Sequence, residues 1–260
     1  MRRCLILALF VAALSSTLTF AQGRGQRASA PAKPTPRWPD GRVNLGAPLG
    51  EKGLWIGGIV TITVPNNGQI PYQPWARGVS DYRRQNEFEP HTRCKPSGGP
   101  RQFLTPYGVE FIDMPELKRI YIFDLGGPHT YRIIYMDGRS HPKDLVPSYY
   151  GDNIGHWEGD TLVVDSVGFN EKFWIDRGRV PHTEQLHMIE RFTRSDFNTL
   201  RYQVTFDDPG AYTERWTGEF LIRWAPGDEL FEYVCQDNNF APELMIGAEK
   251  EINRRSQIVP

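Results

Sequence analysis

The stretch IGHWEGDTLVVDS, residues 154–166, contains the pattern that decides the fold. Two short runs rich in β-branched and aromatic residues, Ile154–Glu158 and Thr161–Ser166, flank the dipeptide Gly159-Asp160. A two-residue connection of this composition is typical of the tight turn of a β-hairpin. The stretch therefore predicts two antiparallel strands joined directly to each other.

Similar runs recur at intervals of about ten residues on both sides of this hairpin, and turn residues such as Asp208-Pro209-Gly210 separate them. No segment after residue 40 shows a sustained apolar period of 3.6, and the runs are too close together for helical crossovers, so antiparallel pairing is expected. The other predicted strands are Leu54–Val64, Val109–Ile112, Arg119–Asp124, Thr130–Met136, Glu184–Thr193, Thr199–Asp207, Tyr212–Arg223 and Glu229–Gln236.

About nine or ten strands can either close into a barrel or stack as a sandwich. Closure removes the exposed sheet edges and leaves an interior cavity, which favours the barrel. The predicted fold is thus all-β, an antiparallel barrel of the lipocalin or calycin type, with a sandwich as the alternative. Residues 71–100 are polar and are predicted to form loop or short helix, inside a single β-rich domain spanning residues 40–260.

The N-terminus has the three parts of a secretory signal. Basic residues in Met1–Cys4 precede an almost uncharged apolar run, Leu5–Leu18, which ends at Thr19-Phe20-Ala21. A membrane-spanning helix needs about 20 apolar residues, and this run is shorter. We expect a signal peptide over residues 1–21, a Pro/Ala/Arg-rich linker over 22–39, and a periplasmic or secreted protein without a membrane span.

Removal of that signal would leave two of the three cysteines, Cys94 and Cys235, in an oxidising compartment. A structural disulfide is the favoured interpretation, and two free buried thiols are the alternative. The bridge would close a very long loop, a constraint that chain-entropy arguments put at about 4 to 5 kcal/mol.

Composition and missing motifs exclude several classes of function. The chain has 30 Lys plus Arg against 31 Asp plus Glu, so it lacks the basic excess expected of a protein that binds nucleic acid or an anionic membrane. A phosphate-binding glycine loop, a G-x-S-x-G elbow and a dinucleotide fingerprint are also missing from the sequence. We therefore expect a small-molecule partner and no organic cofactor.

Candidate site chemistry concentrates in residues 181–191, PHTEQLHMIER. His182, Glu184 and His187 have an H-x-E-x-x-H spacing that suggests a metal site, but a straight strand would point His187 to the opposite face. Metal binding would require His182 to lie in the preceding loop or a bulge to restore the register. His182 and Glu184 are therefore candidate catalytic residues, a divalent metal is a weaker possibility, and His187 is a candidate ligand-binding residue.

Glu190 is a further candidate catalytic residue, since an interior carboxyl between two apolar neighbours could donate or accept a proton. The alternative is a solvated or cross-strand ion pair involving Arg191. His156 is the fourth catalytic candidate, because imidazole titrates near neutral pH. Trp157 is either a ligand platform or part of the core.

The segments Asp137–Pro142, Gly155–Asp165 and Pro181–His187 resemble those of a family of exported bacterial β-rich proteins for which no activity is known. The resemblance extends from about Cys94 to Asn239 and implies that these segments form one unit. Arg139 and His141, in the first segment, are candidate ligand-binding residues at a turn.

The resulting hypothesis is an exported enzyme with His and carboxylate acid-base chemistry, a lyase, isomerase or hydrolase that acts on a small organic molecule in a barrel cavity. A non-catalytic, lipocalin-like binding protein of the periplasm is the alternative. A structural or interaction domain of the cell envelope is the third possibility.

Overall fold

Strict alternation of inward and outward side chains organises the structure, a computed structural model that describes residues 33–59, 61–126, 130–233 and 235. In the longest strands, every second residue is buried and the intervening residues are at least partly exposed. The described residues belong to one compact unit. The predicted signal peptide and most of the predicted linker lie outside the described residues.

Nine strands form a closed barrel in which each strand pairs with the next and the first pairs with the last. The predicted antiparallel barrel is therefore confirmed; within the ring of nine strands, the parallel contact is the residue pair Tyr135 and Ile154, between the fourth and fifth strands. The strands are β1 (Gly53–Gly57), β2 (Val109–Met114), β3 (Arg119–Asp124), β4 (Thr130–Tyr135), β5 (Asp152–Glu158), β6 (Thr161–Val167), β7 (His187–Asp196), β8 (Thr199–Asp207) and β9 (Trp216–Pro226).

The hairpin predicted at Gly159-Asp160 is present between β5 and β6. Glu158 pairs directly with Thr161, which leaves a two-residue turn. Gly159 has a φ of +58°, a conformation that glycine adopts without the steric cost of a Cβ atom. The turn residues thus set the register of the two strands.

Three predicted elements differ from the structure. The strand predicted over Leu54–Val64 stops at Gly57, where the backbone passes so close to the Phe103 carbonyl oxygen that a Cβ atom would not fit. Residues 229–233 of the strand predicted over Glu229–Gln236 form no strand, because β9 already pairs with both β8 and β1 and the ring has no free edge. Within residues 71–100, where loop or short helix was predicted, the structure has a helix of 13 residues, α1 (Pro74–Asn86); its bounds do not show in the periodicity, since it buries only Ala76 and Ser80.

Aromatic side chains fill the inside of the barrel. A 3-10 segment, Gly99–Leu104, is entirely buried and delivers Phe103 to the centre. The ring centroid of Phe103 lies 5.1 Å from that of Tyr202 and 5.4 Å from that of Phe192. Because each such side chain contributes about 3 to 5 kcal/mol when buried, the interior is a packed core held together by this segment. Shorter 3-10 turns occur at Pro65–Asn67, Pro90–Arg93 and Pro115–Leu117.

Arg194 attaches the N-terminal segment to the barrel. Its guanidinium donates hydrogen bonds to the carbonyl oxygens of Asn44 (2.7 Å), Gly46 (2.9 Å) and Phe197 (2.7 Å). It also lies 4.7 Å from the ring centroid of Trp55. The side chain is buried, and burial lowers its pKa to about 10.

The predicted disulfide between Cys94 and Cys235 is confirmed, with 5.5 Å between the Cα atoms and 141 residues of sequence separation. Such a bridge is typical of proteins of oxidising compartments. Among the helices that the structure describes, none is long and apolar enough to cross a membrane.

Replacing Arg194 with Met should lower the free energy of unfolding by about 3 kcal/mol, because three buried carbonyl groups lose a charged donor. Denaturant unfolding measures this change. Arg201→Met is the matched control: Arg201 forms an exposed pair with Glu219 at 2.7 Å, and its loss should cost about 1 kcal/mol or less. Equal losses in the two variants would contradict the structural role of Arg194.

Candidate functional site

Glu190 lies inside the barrel, in the middle of a buried polar network. The Arg132 guanidinium donates two hydrogen bonds to its carboxylate, one of 2.9 Å between Nη1 and Oε1, and both side chains are fully buried. The Tyr202 hydroxyl donates to Oε1 at 2.8 Å, and the Ser166 hydroxyl donates to Oε2 at 3.2 Å. Arg132 further donates to Asn153 at 2.8 Å.

This network accounts for the hydrogen-bonding capacity of Glu190 within the protein. Its ion-pair partner is Arg132, not the neighbouring Arg191, which lies on the outer face and bonds to Glu158 at 2.8 Å. A fully paired, desolvated carboxylate specifies how strands pack around it. In this setting Glu190 positions β4 against β7.

His182 and Glu184 precede β7 and have different environments. His182 is buried against the ring of Phe173, and its Nε2 lies 3.2 Å from the Phe173 carbonyl oxygen. Burial lowers the pKa of His182 to about 4. Glu184 is exposed, with its backbone N–H 3.3 Å from Glu171 Oε1. The two side chains are not brought to a common site with His187.

His187 begins β7 on the outer face and takes part in a different cluster. Its Nε2 lies 2.8 Å from Asp165 Oδ1 on β6, and His141 Nε2 lies 3.3 Å from the same oxygen. His141 Nδ1 is in turn 2.6 Å from Asp152 Oδ1 on β5. We call these four residues, Asp152, His141, Asp165 and His187, the outer His/Asp cluster.

Three adjacent strands and one loop build the outer His/Asp cluster. Asp165 pairs with Ile154 on one side and with Ile189 on the other, so its carboxylate projects outward between β5 and β7. His141 comes from the connection between β4 and β5. Side-chain exposure is 38% for His187 and 42% for Asp165, so solutes can reach both groups.

The contacts of the cluster limit which nitrogen of each imidazole can donate a hydrogen bond. A carboxylate can only accept, so the His187 proton lies on Nε2 and Nδ1 carries the free lone pair in the neutral ring. His141 has carboxylates at both ring nitrogens, and donation to both requires a proton on each. His187 is thus oriented by a carboxylate and has a partly exposed side chain, which is the arrangement of a general base.

The remaining predicted residues are distributed around this cluster. Arg139 stacks on the Tyr135 ring, 3.9 Å from its centroid, and bonds to Asp137 at 2.6 Å. His156 is exposed and bonds only to Glu158, at 3.2 Å. Trp157 faces inward and packs against the core. The structure therefore brings together His141 and His187, with Arg139 nearby, and leaves His156 and Trp157 apart.

Asp152 and Asp165 are the cluster members that the sequence analysis did not select. Asp165 carries a visible signal, since it is the one charged residue in the apolar run of β6 and alternation puts it opposite Val164 and Ser166. Asp152 has no comparable signal, because a polar residue after Gly151 is ordinary turn chemistry.

Among the residues that the structure describes, no set of three or more His, Cys, Asp or Glu side chains has a geometry suited to a metal ion. This applies to His182, Glu184 and His187, the set with the suggestive spacing. Comparisons with known protein families, with curated proteins and with solved structures find no match to this chain. The interpretation of the site therefore depends on its geometry.

A second titratable group is buried near the end of β3. Asp124 Oδ1 accepts a hydrogen bond of 2.8 Å from the Gly126 N–H, and Oδ2 accepts one of 3.1 Å from the Tyr150 hydroxyl. Desolvation dominates over these bonds and raises the pKa of Asp124 from 3.8 to about 7. The protonated carboxyl is thus the form that the folded protein prefers below neutral pH.

Asp124 should make the protein less stable as the pH rises. Between about pH 4 and pH 7 the folded chain keeps a proton that the unfolded chain releases, so the free energy of unfolding falls across this window. Asp124→Asn should remove this component. The measurement is denaturant unfolding of both proteins from pH 4 to 8, and a constant difference between them would contradict the buried, proton-binding carboxyl.

Removing either member of the buried ion pair should destabilise the fold by about 3 to 5 kcal/mol, because the other charge is left unpaired. We expect this loss in the free energy of unfolding for Glu190→Leu and for Arg132→Leu. The double variant should lose well below the sum of the two single losses. Denaturant unfolding tests the cycle. Arg191→Leu, on the exposed side of the same strand, should cost about 1 kcal/mol or less. Additive losses in the double variant would show that the two side chains do not act as a pair.

Proposed function

We propose that this protein is an exported enzyme that catalyses proton transfer on a small organic molecule, with the outer His/Asp cluster as its catalytic centre. The observation that carries the proposal is the contact of one Asp165 oxygen with two imidazoles, at 2.8 and 3.3 Å, on an accessible face of a rigid sheet. Export is inferred from the N-terminal sequence and agrees with the disulfide.

His187 is the proposed general base. Its Nδ1 takes a proton from a C–H or O–H group of the substrate, and the Asp165 carboxylate stabilises the imidazolium that forms. This pairing of a base with an orienting carboxylate needs no organic cofactor. It contributes about 10²- to 10⁴-fold in rate when a substrate is positioned within hydrogen-bond reach.

His141 is the proposed proton donor. Asp152 orients its ring through Nδ1, and the donated proton is the one on Nε2, which exchanges its longer contact of 3.3 Å with Asp165 Oδ1 for the substrate. His141 is then a neutral ring that keeps the Nδ1 proton toward Asp152. In a lyase or hydrolase the proton from His141 would go to the leaving group; in an isomerase it would go to a second position of the same substrate. Transfer of one proton to His187 and one from His141 leaves the overall charge of the pair unchanged.

A catalytic centre on the outside of the barrel is supported by the absence of free space and of free acid-base groups around Phe103 and Glu190, in the part of the interior that the structure describes. Phe103 and its aromatic neighbours fill the centre, and Glu190 is saturated by protein donors. A groove of about 560 Å³ also lies on the outside, lined in part by Arg201 and Glu219, and no member of the His/Asp cluster lines it. The outer His/Asp cluster lies on the open outer face of the sheet, so polymeric as well as small substrates can reach it.

The decisive experiment is a substrate screen with matched variants. The purified mature protein is incubated with a defined mixture of sugar acids, oligosaccharides and small esters, and mass spectrometry identifies compounds that change. His187→Gln and Asp165→Asn should each reduce the conversion by at least about 10²-fold. Elemental analysis of the same protein preparation, with and without a chelator during the reaction, reports any contribution of a metal ion.

His156→Gln is the control, because His156 is an exposed histidine on the outer face of the neighbouring strand β5 and bonds to one carboxylate, that of Glu158. It should convert the same compounds at the wild-type rate. Conversion that survives in His187→Gln, or no conversion by the wild-type protein of any compound in the mixture, would contradict the proposal.

A further inference from the structure

Four aromatic side chains on the outer face of β3 and β4, one exposed and three partly exposed, form a surface that the packing of the barrel does not require. We call Tyr121, Phe123, Tyr131 and Tyr135 the aromatic strip. The ring centroids of Tyr121, Phe123 and Tyr131 lie 6.0 to 6.2 Å from one another, and Tyr131 is 55% exposed. Outward-facing positions on a barrel are ordinarily polar, so grouped rings there indicate a binding surface.

The aromatic strip is elongated along the strands. Tyr131 and Tyr135 are four residues apart on β4, which corresponds to about 13 Å at the rise of a β-strand. The rings on β3 lie beside those on β4, since Phe123 pairs with Tyr131 and Tyr121 pairs with Ile133. The shape suits an extended ligand that presents several ring faces in sequence, not one compact molecule.

The end of the strip at Tyr135 lies beside the outer His/Asp cluster. Tyr135 pairs with Ile154, and Ile154 pairs with Asp165, so the ring and the carboxylate occupy one row of the sheet, two strands apart. Neighbouring strands are about 4.8 Å apart, which puts Tyr135 about 10 Å from Asp165. Arg139, which stacks on Tyr135, precedes His141 of the cluster by two residues in the sequence.

Two guanidinium groups flank the same end of the strip. Arg139 lies 3.9 Å from the Tyr135 ring centroid and Arg119 lies 5.5 Å from it. Arg139 is neutralised by Asp137, whereas the polar contact of Arg119 is the Tyr121 hydroxyl, at 3.4 Å. Arg119 thus has no carboxylate partner among the described residues, and a ligand carboxylate would complement its charge.

We propose that the aromatic strip binds an oligosaccharide of acidic sugars, with its rings on Tyr121, Phe123 and Tyr131 and a carboxylate at Arg119. The inference rests on the proposed function, because the aromatic strip would lead the bound oligosaccharide to His187 and His141. Sugar rings present flat C–H faces to aromatic side chains and hydroxyl groups to solvent, which suits an open, partly polar surface. A nucleic acid is a poorer fit, since its dense phosphate charge requires many more cations than these two.

Binding is tested with hexamers of galacturonate, mannuronate and guluronate by calorimetry. The His187→Gln variant is used throughout, so that binding is measured without turnover and independently of the proposed chemistry. At least one hexamer should bind, and Tyr131→Ala or Tyr121→Ala should each raise its Kd by about tenfold. Tyr82→Ala is the control, because Tyr82 is an equally exposed tyrosine, 58%, on α1, and its loss should leave the Kd unchanged.

The charge requirement is tested separately. The methyl ester of the bound hexamer keeps the ring faces and loses the carboxylates. To the protein that has Arg119, the ester should bind about tenfold more weakly than the acid hexamer does. Arg119→Gln should bind the ester with that same reduced affinity. Absence of binding to all three hexamers overturns the inference, as does binding that both tyrosine variants retain. Concentration-dependent dimerisation that Tyr131→Ala abolishes, without sugar binding, would also overturn it and assign the strip to a second copy of the chain. Sugar binding without any turnover by the wild-type protein would sustain the inference and count against the proposed function.

Discussion

Closure of the sheet is the constraint on which the rest of the structure depends. Once β1 pairs with β9, each strand has one face toward an enclosed interior and one toward solvent, and no edge is left for a further strand. The interior then has to be filled at the density of a protein core. The Gly99–Leu104 segment does this by bringing Phe103 to the centre, and the Cys94–Cys235 bridge is attached close to the beginning of that segment.

Because the interior is filled, the titratable groups that point inward and those that point outward have different environments. Those that point inward are ion-paired, as Glu190 is with Arg132, or neutral below about pH 7, as Asp124 is, or held by carbonyl groups and aromatic rings, as Arg194 is. Burial of each of these groups carries a desolvation penalty, and the contacts that each group makes position one segment of the barrel against another. Groups that point outward keep access to solvent, and the outer His/Asp cluster is where two imidazoles and two carboxylates meet on that side.

The rigidity of the sheet matters for the proposed chemistry. Asp165, Asp152 and His187 project from three consecutive, hydrogen-bonded strands, so their relative positions are set by the register of the ladder and not by loop conformation. A base that is held in this way loses little freedom when a substrate arrives. The same row of the sheet continues to Tyr135 and Arg119, which relates the proposed binding surface to the proposed reacting groups through backbone pairing alone.

Local pattern was enough to predict what is local. The sequence by itself determined the hairpin at Gly159-Asp160, most of the strands, and the placement of Glu190 and His187 on opposite faces of β7, because a period of two and turn chemistry act over a few residues. The cysteine pair, 141 residues apart, followed instead from the cysteine count and the expected oxidising compartment. The sequence predicted loop or short helix where α1 lies but did not define the bounds of that helix, whose buried face is too small to show a period. Only the tertiary structure decided that Glu190 pairs with Arg132, 58 residues away, and that His141 meets His187 at Asp165. Partners of this kind follow from strand register and ring closure, which depend on pairings between distant segments that no single stretch of sequence encodes.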